Sequence, residues 1–168
     1  FAAAEEDLGM ARDLAEASPD PGWRSRVHRF QLQTWLARGK LRSAVRWAEL
    51  QLLEGNSDGR LGQEMEQRTM AQILIVKGDA PSLDRALTML KELLEPSERE
   101  GRLGDQIEVL TLLALARWRR GDRSGSLATL ERALALAEPE GYVRLFVDLG
   151  MPMARLLQQA EARDVRVE

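Results

Sequence analysis

The sequence contains no cysteine, a single histidine and a single tyrosine. Without cysteine the chain forms no disulfides, no thiolate nucleophile and no cysteine-ligated zinc site. One histidine, His28, excludes a multi-histidine metal site, and no orienting motif around it indicates a Ser-His-Asp triad. Because no constellation of acid, base and nucleophile emerges, we expect neither an enzyme nor a metal-binding protein.

Long apolar runs and segregated charge are also missing. No apolar stretch approaches the roughly 20 residues that cross a bilayer, and the acidic start, FAAAEEDLGMARDL, lacks the basic region of a signal peptide. Lys and Arg number 24 against 27 Asp and Glu, and both signs are mixed along every helical segment. Phosphate binding needs clustered positive charge. We therefore expect a cytoplasmic chain that binds neither membranes nor nucleic acid directly.

No phosphate-binding loop is present. A Walker loop needs glycines followed by Lys and then Ser or Thr. The only Gly-Lys pair, Gly39-Lys40, precedes Leu41 and lies at a predicted helix end. We expect no cofactor in this chain.

The sequence does contain an internal repeat. GRLG occurs at 59–62 and again at 101–104, a shift of 42 residues. In the seven residues that follow, Met65, Glu66 and Thr69 pair with Ile107, Glu108 and Thr111. Three predicted helices also end alike, in ARGK, VKGD and RRGD, with a basic residue before the glycine. A cation near the last carbonyls, followed by a residue that tolerates positive φ, is typical of a helix end. Gly39, Gly78 and Gly121 are therefore predicted to end three equivalent helices.

A small residue follows each of these glycines by five, eight and five positions: Ala44, Ala86 and Ser126. Small side chains at these places would let the paired helices approach closely. The middle unit carries an extra APS, whose Pro81 fits the first turn of a helix. The apolar spacing predicts helices at about 2–17, 23–38, 41–54, 61–77, 82–95, 103–120, 124–138, 142–149 and 152–163.

No segment alternates with period two for long enough to predict a strand, so the fold class is all-α. Linkers such as SPDPG, EGNSDG and EPSEREG separate the pairs. A pair of about 40 residues cannot bury its apolar face alone, whereas stacked pairs share a continuous core. We therefore predict one domain over 1–168, a tetratricopeptide-like superhelix or α-solenoid. Its helix pairs are expected at about 23–54, 61–95 and 103–138, with closing helices over 142–163.

Residues 101–157, GRLGDQIEVLTLLALARWRRGDRSGSLATLERALALAEPEGYVRLFVDLGMPMARLL, resemble the end of the tetratricopeptide-like superhelical region of large MalT-like LuxR-family regulators. That region typically ends on ALALAEPEGYVRLFVDEGPPMAALL, and residues 133–148 follow this phrase nearly letter for letter. Leu149 replaces the usual acidic residue. Upstream, LARGKLRSAVRWAE at 36–49 is similar to the family's LARGDLAAAARWAE, so the resemblance extends over about 23–157.

The resemblance implies a piece of a longer protein. Family members of this type carry an N-terminal nucleotide-binding module, the superhelical region and a C-terminal helix-turn-helix. The absent Walker motif excludes the first module, and the roughly 20 residues after Asp148 are too few for the second. The resemblance also implies that Tyr142 and Phe146 pack on the last helix pair and that the final helix is a polar-faced cap.

The functional hypothesis follows from the resemblance. It implies an effector- or partner-binding sensor or scaffold domain of a bacterial transcriptional regulator, which couples binding to oligomerisation of the absent modules. The expected partner is a small-molecule inducer or a regulatory protein, and self-association is left open. The alternative is a generic tetratricopeptide-type scaffold for protein–protein interaction, whose concave groove holds a peptide.

The first helix of each pair is expected to line the concave surface. Glu and Thr recur there at equivalent places, and tryptophan rings offer a platform for a ligand. A structural origin is also open, because acids near a helix start favour the N-terminal dipole and Trp118 can fill space between repeats. Trp47, near the small Ala44, is assigned to packing. The candidate ligand-binding residues are Gln31, Trp35, Glu66, Thr69, Glu108, Thr111 and Trp118.

Overall fold

The structure is a computed structural model in which residues 2–18, 21–54 and 60–164 are described. Within these ranges every regular element is a helix, which confirms the all-α prediction. The helices are α1 (Ala2–Ala17), α2 (Pro21–Ala37), α3 (Leu41–Glu54), α4 (Arg60–Lys77), α5 (Ala80–Arg99), α6 (Leu103–Arg120), α7 (Arg123–Ala137), α8 (Arg144–Val147) and α9 (Gly150–Asp164). None of the helices in the described ranges combines the length and apolar character needed to span a bilayer.

The chain divides into two compact units, Phe1–Lys77 and Gly78–Glu168, which we call the N-terminal and C-terminal units. The boundary falls between the two helices of the second predicted pair, 61–95. The expected single domain over 1–168 stays a prediction. The linker SPDPG lies partly, and EGNSDG mostly, outside the described residues.

The N-terminal unit is built around α2. This helix packs against α1, α3 and α4, and α3 also packs against α4. Leu32 of α2, Ala44 of α3 and Ile73 of α4 are almost fully buried. The unit's core therefore lies where these three helices meet.

The C-terminal unit is built around α6, which packs against α5 and α7 and also contacts α9. Every residue from Val109 to Ala116 is buried. A helix that is apolar on all sides belongs in a core rather than at a surface. At its exposed end, the Nε of Arg120 donates to Oδ1 of Asp84 on α5 at 2.7 Å.

The dipeptide Gly-Asp ends one helix and begins the next. Gly121 has φ +93°, and the N–H of Asp122 donates to the carbonyl of Arg117 at 3.0 Å, which satisfies the end of α6. The Asp122 carboxylate then accepts from the N–H of Gly125 at 2.9 Å and caps α7. Asp79 caps α5 in the same way through the N–H of Ser82. The predicted glycine stops are confirmed; the aspartate caps were not predicted.

The three small residues after the glycines are buried, and Ser126 lies at the contact of its helix pair, as expected. Ala44, Ala86 and Ser126 are all fully buried. The hydroxyl of Ser126 on α7 donates to the carbonyl of Ala114 on α6 at 2.7 Å. A side chain longer than this would separate the two helices, so the size of the residue sets their spacing.

Two predicted boundaries are wrong. We expected α5 to end at about 95, but it continues through Pro96 to Arg99. Proline removes one backbone donor, and in this last turn the buried Ser97 donates its hydroxyl to the carbonyl of Leu94 at 2.7 Å. The predicted helix over 142–149 is also shorter, because α8 includes only Arg144–Val147.

Enlarging Ala86 is expected to destabilise the chain. Replacement with Leu places three extra carbons in a fully buried contact, and overpacking of this kind costs about 1–3 kcal/mol. Ala128→Leu is the matched control because Ala128 is exposed on α7. Urea unfolding followed by circular dichroism measures both. Equal unfolding free energies for the two variants would contradict close packing at Ala86.

The exposed pair of Asp84 and Arg120 is expected to show in the titration of Asp84. The hydrogen bond from Arg120, together with its charge, holds the pKa of Asp84 below its usual value. A carboxylate with a lowered pKa stabilises the fold above its unfolded pKa, about 3.9, and this contribution is lost as the pH falls through the folded pKa. Arg120→Gln should raise the pKa of Asp84 measured by NMR, whereas Arg119→Gln should leave it unchanged.

Candidate functional site

The expected concave wall divides between the two units. Gln31 and Trp35 lie on α2, and Glu66 and Thr69 lie on α4, all in the N-terminal unit. The C-terminal unit holds Glu108, Thr111 and Trp118, all on α6. Gln31, Trp35, Glu66, Glu108 and Trp118 are half-buried. A common wall formed by all seven stays a prediction.

The two threonines of this set are buried, contrary to what we expected. The hydroxyl of Thr111 donates to the carbonyl of Ile107 at 2.6 Å, and that of Thr69 donates to the carbonyl of Met65 at 3.0 Å. Equivalent positions in the sequence repeat therefore make equivalent hydrogen bonds. Both hydroxyls therefore bond to the backbone of their own helices. For Thr111 the reason is that the middle of α6 is buried on all sides.

Trp118 lies at the end of α6 beneath a cation. The guanidinium of Arg123 sits 3.5 Å from the centre of the indole ring, a close cation–π contact. One face of the ring is therefore covered by the first residue of α7. This contact favours the packing interpretation of Trp118 over the ligand platform.

The neighbouring Arg117 joins α6 to α7. Its Nη1 donates to the carbonyl of Gly125 at 3.0 Å and to the hydroxyl of Thr129 at 2.6 Å. The Thr129 hydroxyl in turn donates to the Gly125 carbonyl at 2.6 Å. A half-buried guanidinium thus fixes the first turn of α7 against the last turn of α6.

In the N-terminal unit, His28 contacts an aromatic side chain. Its ring lies 5.0 Å from that of Trp47 at an interplanar angle of 66°, an edge-to-face arrangement. This contact supports the packing role assigned to Trp47. Among the described residues, no group of three His, Cys, Asp or Glu side chains is placed to hold a metal ion.

An apolar groove, which the sequence did not predict, lies within the C-terminal unit. It has a volume of about 1010 Å³ and is lined by α7, the segment after it, α8 and the first two turns of α9. Its lining residues are Glu131, Leu134, Ala135, Ala137, Glu138, Gly141, Tyr142, Val143, Phe146, Val147, Gly150, Met151, Ala154 and Leu157. We call this feature the terminal groove.

The segment after α7 shapes the terminal groove. Phe146 is buried, and the Tyr142 hydroxyl reaches the first turn of α6, since a Cβ on Gly104 would lie 3.3 Å from it. Tyr142 therefore contacts the last helix pair, as the resemblance implied, and packing of the buried Phe146 on that pair stays a prediction. A φ of +62° at Gly150 then turns the chain into α9.

Helix α9 has two apolar sides. Met153 and Leu156 are fully buried, whereas Met151 and Leu157 line the terminal groove. The solvent side carries Arg155, Gln158 and Gln159. The resemblance implied a final helix with a polar outer face. Only one side of α9 is polar and exposed, because another side lines the terminal groove.

Several apolar side chains of the terminal groove are open to solvent. The exposed fractions are 38% for Tyr142, 68% for Val143, 67% for Val147 and 66% for Met151. Isolated exposed apolar residues are ordinary, whereas a contiguous patch indicates an interaction surface. Sequence periodicity could have identified Val143 and Val147, which are four residues apart, but it could not show that α9 places Met151 beside them.

The hydrogen bonds from Arg117 to Gly125 and Thr129 are called the Arg117 clamp. Removing this clamp is expected to destabilise the C-terminal unit. Arg117→Met keeps much of the side-chain length but loses the hydrogen bonds to Gly125 and Thr129. Hydrogen bonds to charged groups contribute about 1.5–3 kcal/mol, so unfolding by urea should show a loss in this range. Arg85→Met is the control because Arg85 is exposed on α5. Indistinguishable unfolding curves for the two variants would contradict the clamp.

Comparison with known proteins gives the helical array a family. Residues 2–163 match the MalT-like TPR region, which covers nearly all of the described chain. No solved structure matches the chain. The match agrees with the glycine-ended helix pairs and with the closing segment around Tyr142, and it identifies the fold as a tetratricopeptide-like helical repeat. The chain therefore belongs to the MalT-like TPR region family, whose helical-repeat architecture is that of an interaction or sensor domain.

Proposed function

We propose that this chain is the partner-binding domain of a bacterial transcriptional regulator of the large, ATP-binding LuxR type. In this proposal, binding to the helical repeats alters the oligomerisation of modules elsewhere in the parent protein. Membership of the MalT-like TPR region supports it, as does the resemblance of residues 101–157 to the end of that region in such regulators. The proposal assigns no catalytic step and no cofactor to this chain.

The observation that carries the proposal is the terminal groove. An open apolar groove between helices suits the side of a partner helix, which inserts apolar side chains into it. The exposure of Val147 and Met151 means that a partner would remove them from water, which favours association.

The lining of the groove favours a protein partner over a polar inducer. A site for a small molecule encloses its ligand and fixes the orientation with a few precisely placed polar groups, whereas the polar side chains of this groove are exposed. Here the polar side-chain groups are the carboxylates of Glu131 and Glu138 and the hydroxyl of Tyr142, and the other lining residues are apolar or glycine. Of the two partner classes expected from the sequence, a regulatory protein fits this surface better.

Coupling to oligomerisation requires two states with different affinities for the partner. The terminal groove is lined by α7 and by the two helices that follow it, α8 and α9. A partner that contacts both α7 and α9 stabilises one arrangement of α9 relative to α7. The difference in the partner's affinity for the two arrangements is the proposed source of the signal.

The regulatory role is tested in the organism that carries the full gene. The double substitution Val147→Thr and Met151→Gln makes the groove polar without touching a fully buried residue. We expect a reproducible change in the abundance of a defined set of transcripts, measured by RNA sequencing, at an unchanged level of the protein on immunoblots.

Met10→Gln is the matched control, because Met10 is 60% exposed on α1, outside the groove. It should leave the transcripts unchanged. A deletion of the whole gene that alters no transcripts would contradict the regulatory role and would favour the generic interaction scaffold instead.

A further inference from the structure

One stretch of the N-terminal unit is strongly basic. Residues 21–48, which include all of α2 and the first part of α3, contain no aspartate or glutamate, and the next acidic residue is Glu49. The expectation that both signs are mixed along every helical segment is therefore wrong for this stretch. Its basic residues are Arg24, Arg26, Arg29, Arg38, Lys40, Arg42 and Arg46.

Two of these arginines lie on one exposed stripe of α3. Arg42 and Arg46 are four residues apart, about one helical turn, and both are exposed. Leu50 lies one turn farther along and is 47% exposed. The buried side of the helix is a different one and includes Ala44. We call Arg42, Arg46 and Leu50 the α3 stripe.

The arginines of the α3 stripe have no anionic partner in the part of the chain that the structure describes. Neither guanidinium takes part in a hydrogen bond or an ion pair there. Helix α3 packs against α2, which contains no acidic residue, and against α4. On α4, the carboxylate of Glu64 lies 3.8 Å from the Nε of Arg60, and Glu66 is half-buried. The two guanidinium groups are therefore available to an anionic group from outside the unit.

We infer that the α3 stripe binds an acidic helix of a partner protein, with Asp or Glu at two positions four apart and an apolar residue one turn beyond them. Residues four apart on a helix have Cβ atoms about 5–6 Å from each other. A helix lying along α3 therefore presents both carboxylates to Arg42 and Arg46 at once, and its apolar residue covers Leu50. Guanidinium and carboxylate groups pair through two parallel hydrogen bonds. The inference goes beyond the proposed function, which concerns the terminal groove of the C-terminal unit.

A nucleic acid fits the α3 stripe less well. Binding to a phosphate backbone needs positive charge over a wide surface, whereas the formal net charge of the chain is −3. Residues 1–20 contain six acidic residues and one basic residue, and α1 from this segment packs against α2. The positive charge at the α3 stripe is therefore local, which suits a short acidic helix.

A second copy of the chain is also a poorer match for the α3 stripe. In a symmetric dimer each copy presents the same surface to the other. Two α3 stripes facing each other would place arginine against arginine, and like charges in that position oppose association. The occupant is therefore a different, acidic protein.

Two synthetic helical peptides of about 18 residues provide the test. Both carry a fluorescent label and the same leucine, and one has Glu at two positions four apart where the other has Gln. Each is titrated with the full 168-residue chain and followed by fluorescence anisotropy. At low salt the Glu peptide should bind about 5-fold tighter than the Gln peptide, as two exposed ion pairs predict. The difference should shrink as salt is raised.

Variants of the chain assign the binding to the α3 stripe. The double substitution Arg42→Gln and Arg46→Gln should abolish the preference for the Glu peptide. Arg85→Gln with Arg155→Gln is the matched control, because both residues are exposed in the C-terminal unit and the net charge changes by the same amount. This control should keep the preference. Leu50→Gln should weaken both peptides by about 3-fold through lost apolar burial, and circular dichroism checks that every variant is folded.

Four results would overturn the inference. The first two are equal affinities of the two peptides and a preference that survives the double substitution on α3. The third is tighter binding of a single-stranded DNA of similar length, lost in the same double variant, which would assign the stripe to nucleic acid. The fourth is a dimer in sedimentation velocity that the double variant dissociates, which would assign it to a second copy. The proposed function is tested separately, through transcripts and the terminal groove.

Discussion

The burial of α6 between α5 and α7 is the interaction on which the C-terminal unit depends. A helix with apolar residues on every side is stable only when neighbours cover it, and the unbroken buried stretch from Val109 to Ala116 shows that they do. Small residues at the contacts, Ala86 and Ser126, bring those neighbours close. The ion pair of Asp84 and Arg120 lies at the exposed edge of this core, where such pairs contribute little.

The same burial explains where a ligand can and cannot bind. A core helix gives its side chains to packing, so the hydroxyl of Thr111 turns to its own backbone rather than to a groove wall. The apolar surface that remains uncovered lies at the edge of the unit, where α7, α8 and α9 meet. The proposed partner therefore contacts side chains such as Val147 and Met151, which the core does not use.

Much of the fold could be predicted because its signals are local. Glycine at a helix end and a small residue one turn and a half later depend only on neighbours in the chain, and Gly121 and Ser126 behave as expected. Pro96 misled the prediction, since a local rule for helix ends was overridden within a packed last turn. The terminal groove could not be predicted, because periodicity identifies an apolar side but not whether another helix covers it. A ligand-binding role likewise stays a prediction for five residues: Gln31, Trp35, Glu66, Glu108 and Trp118.

The Arg117 clamp has a mechanical consequence for α7. Its N-terminal part is hydrogen-bonded to α6 through Gly125 and Thr129, and only two residues, Gly121 and Asp122, connect the two helices. The opposite end, around Leu134 and Ala137, lines the terminal groove about two turns farther along. Between the two ends, Leu130 and Ala133 are fully buried, so α7 is held along its inner side and forms a fixed wall of the terminal groove.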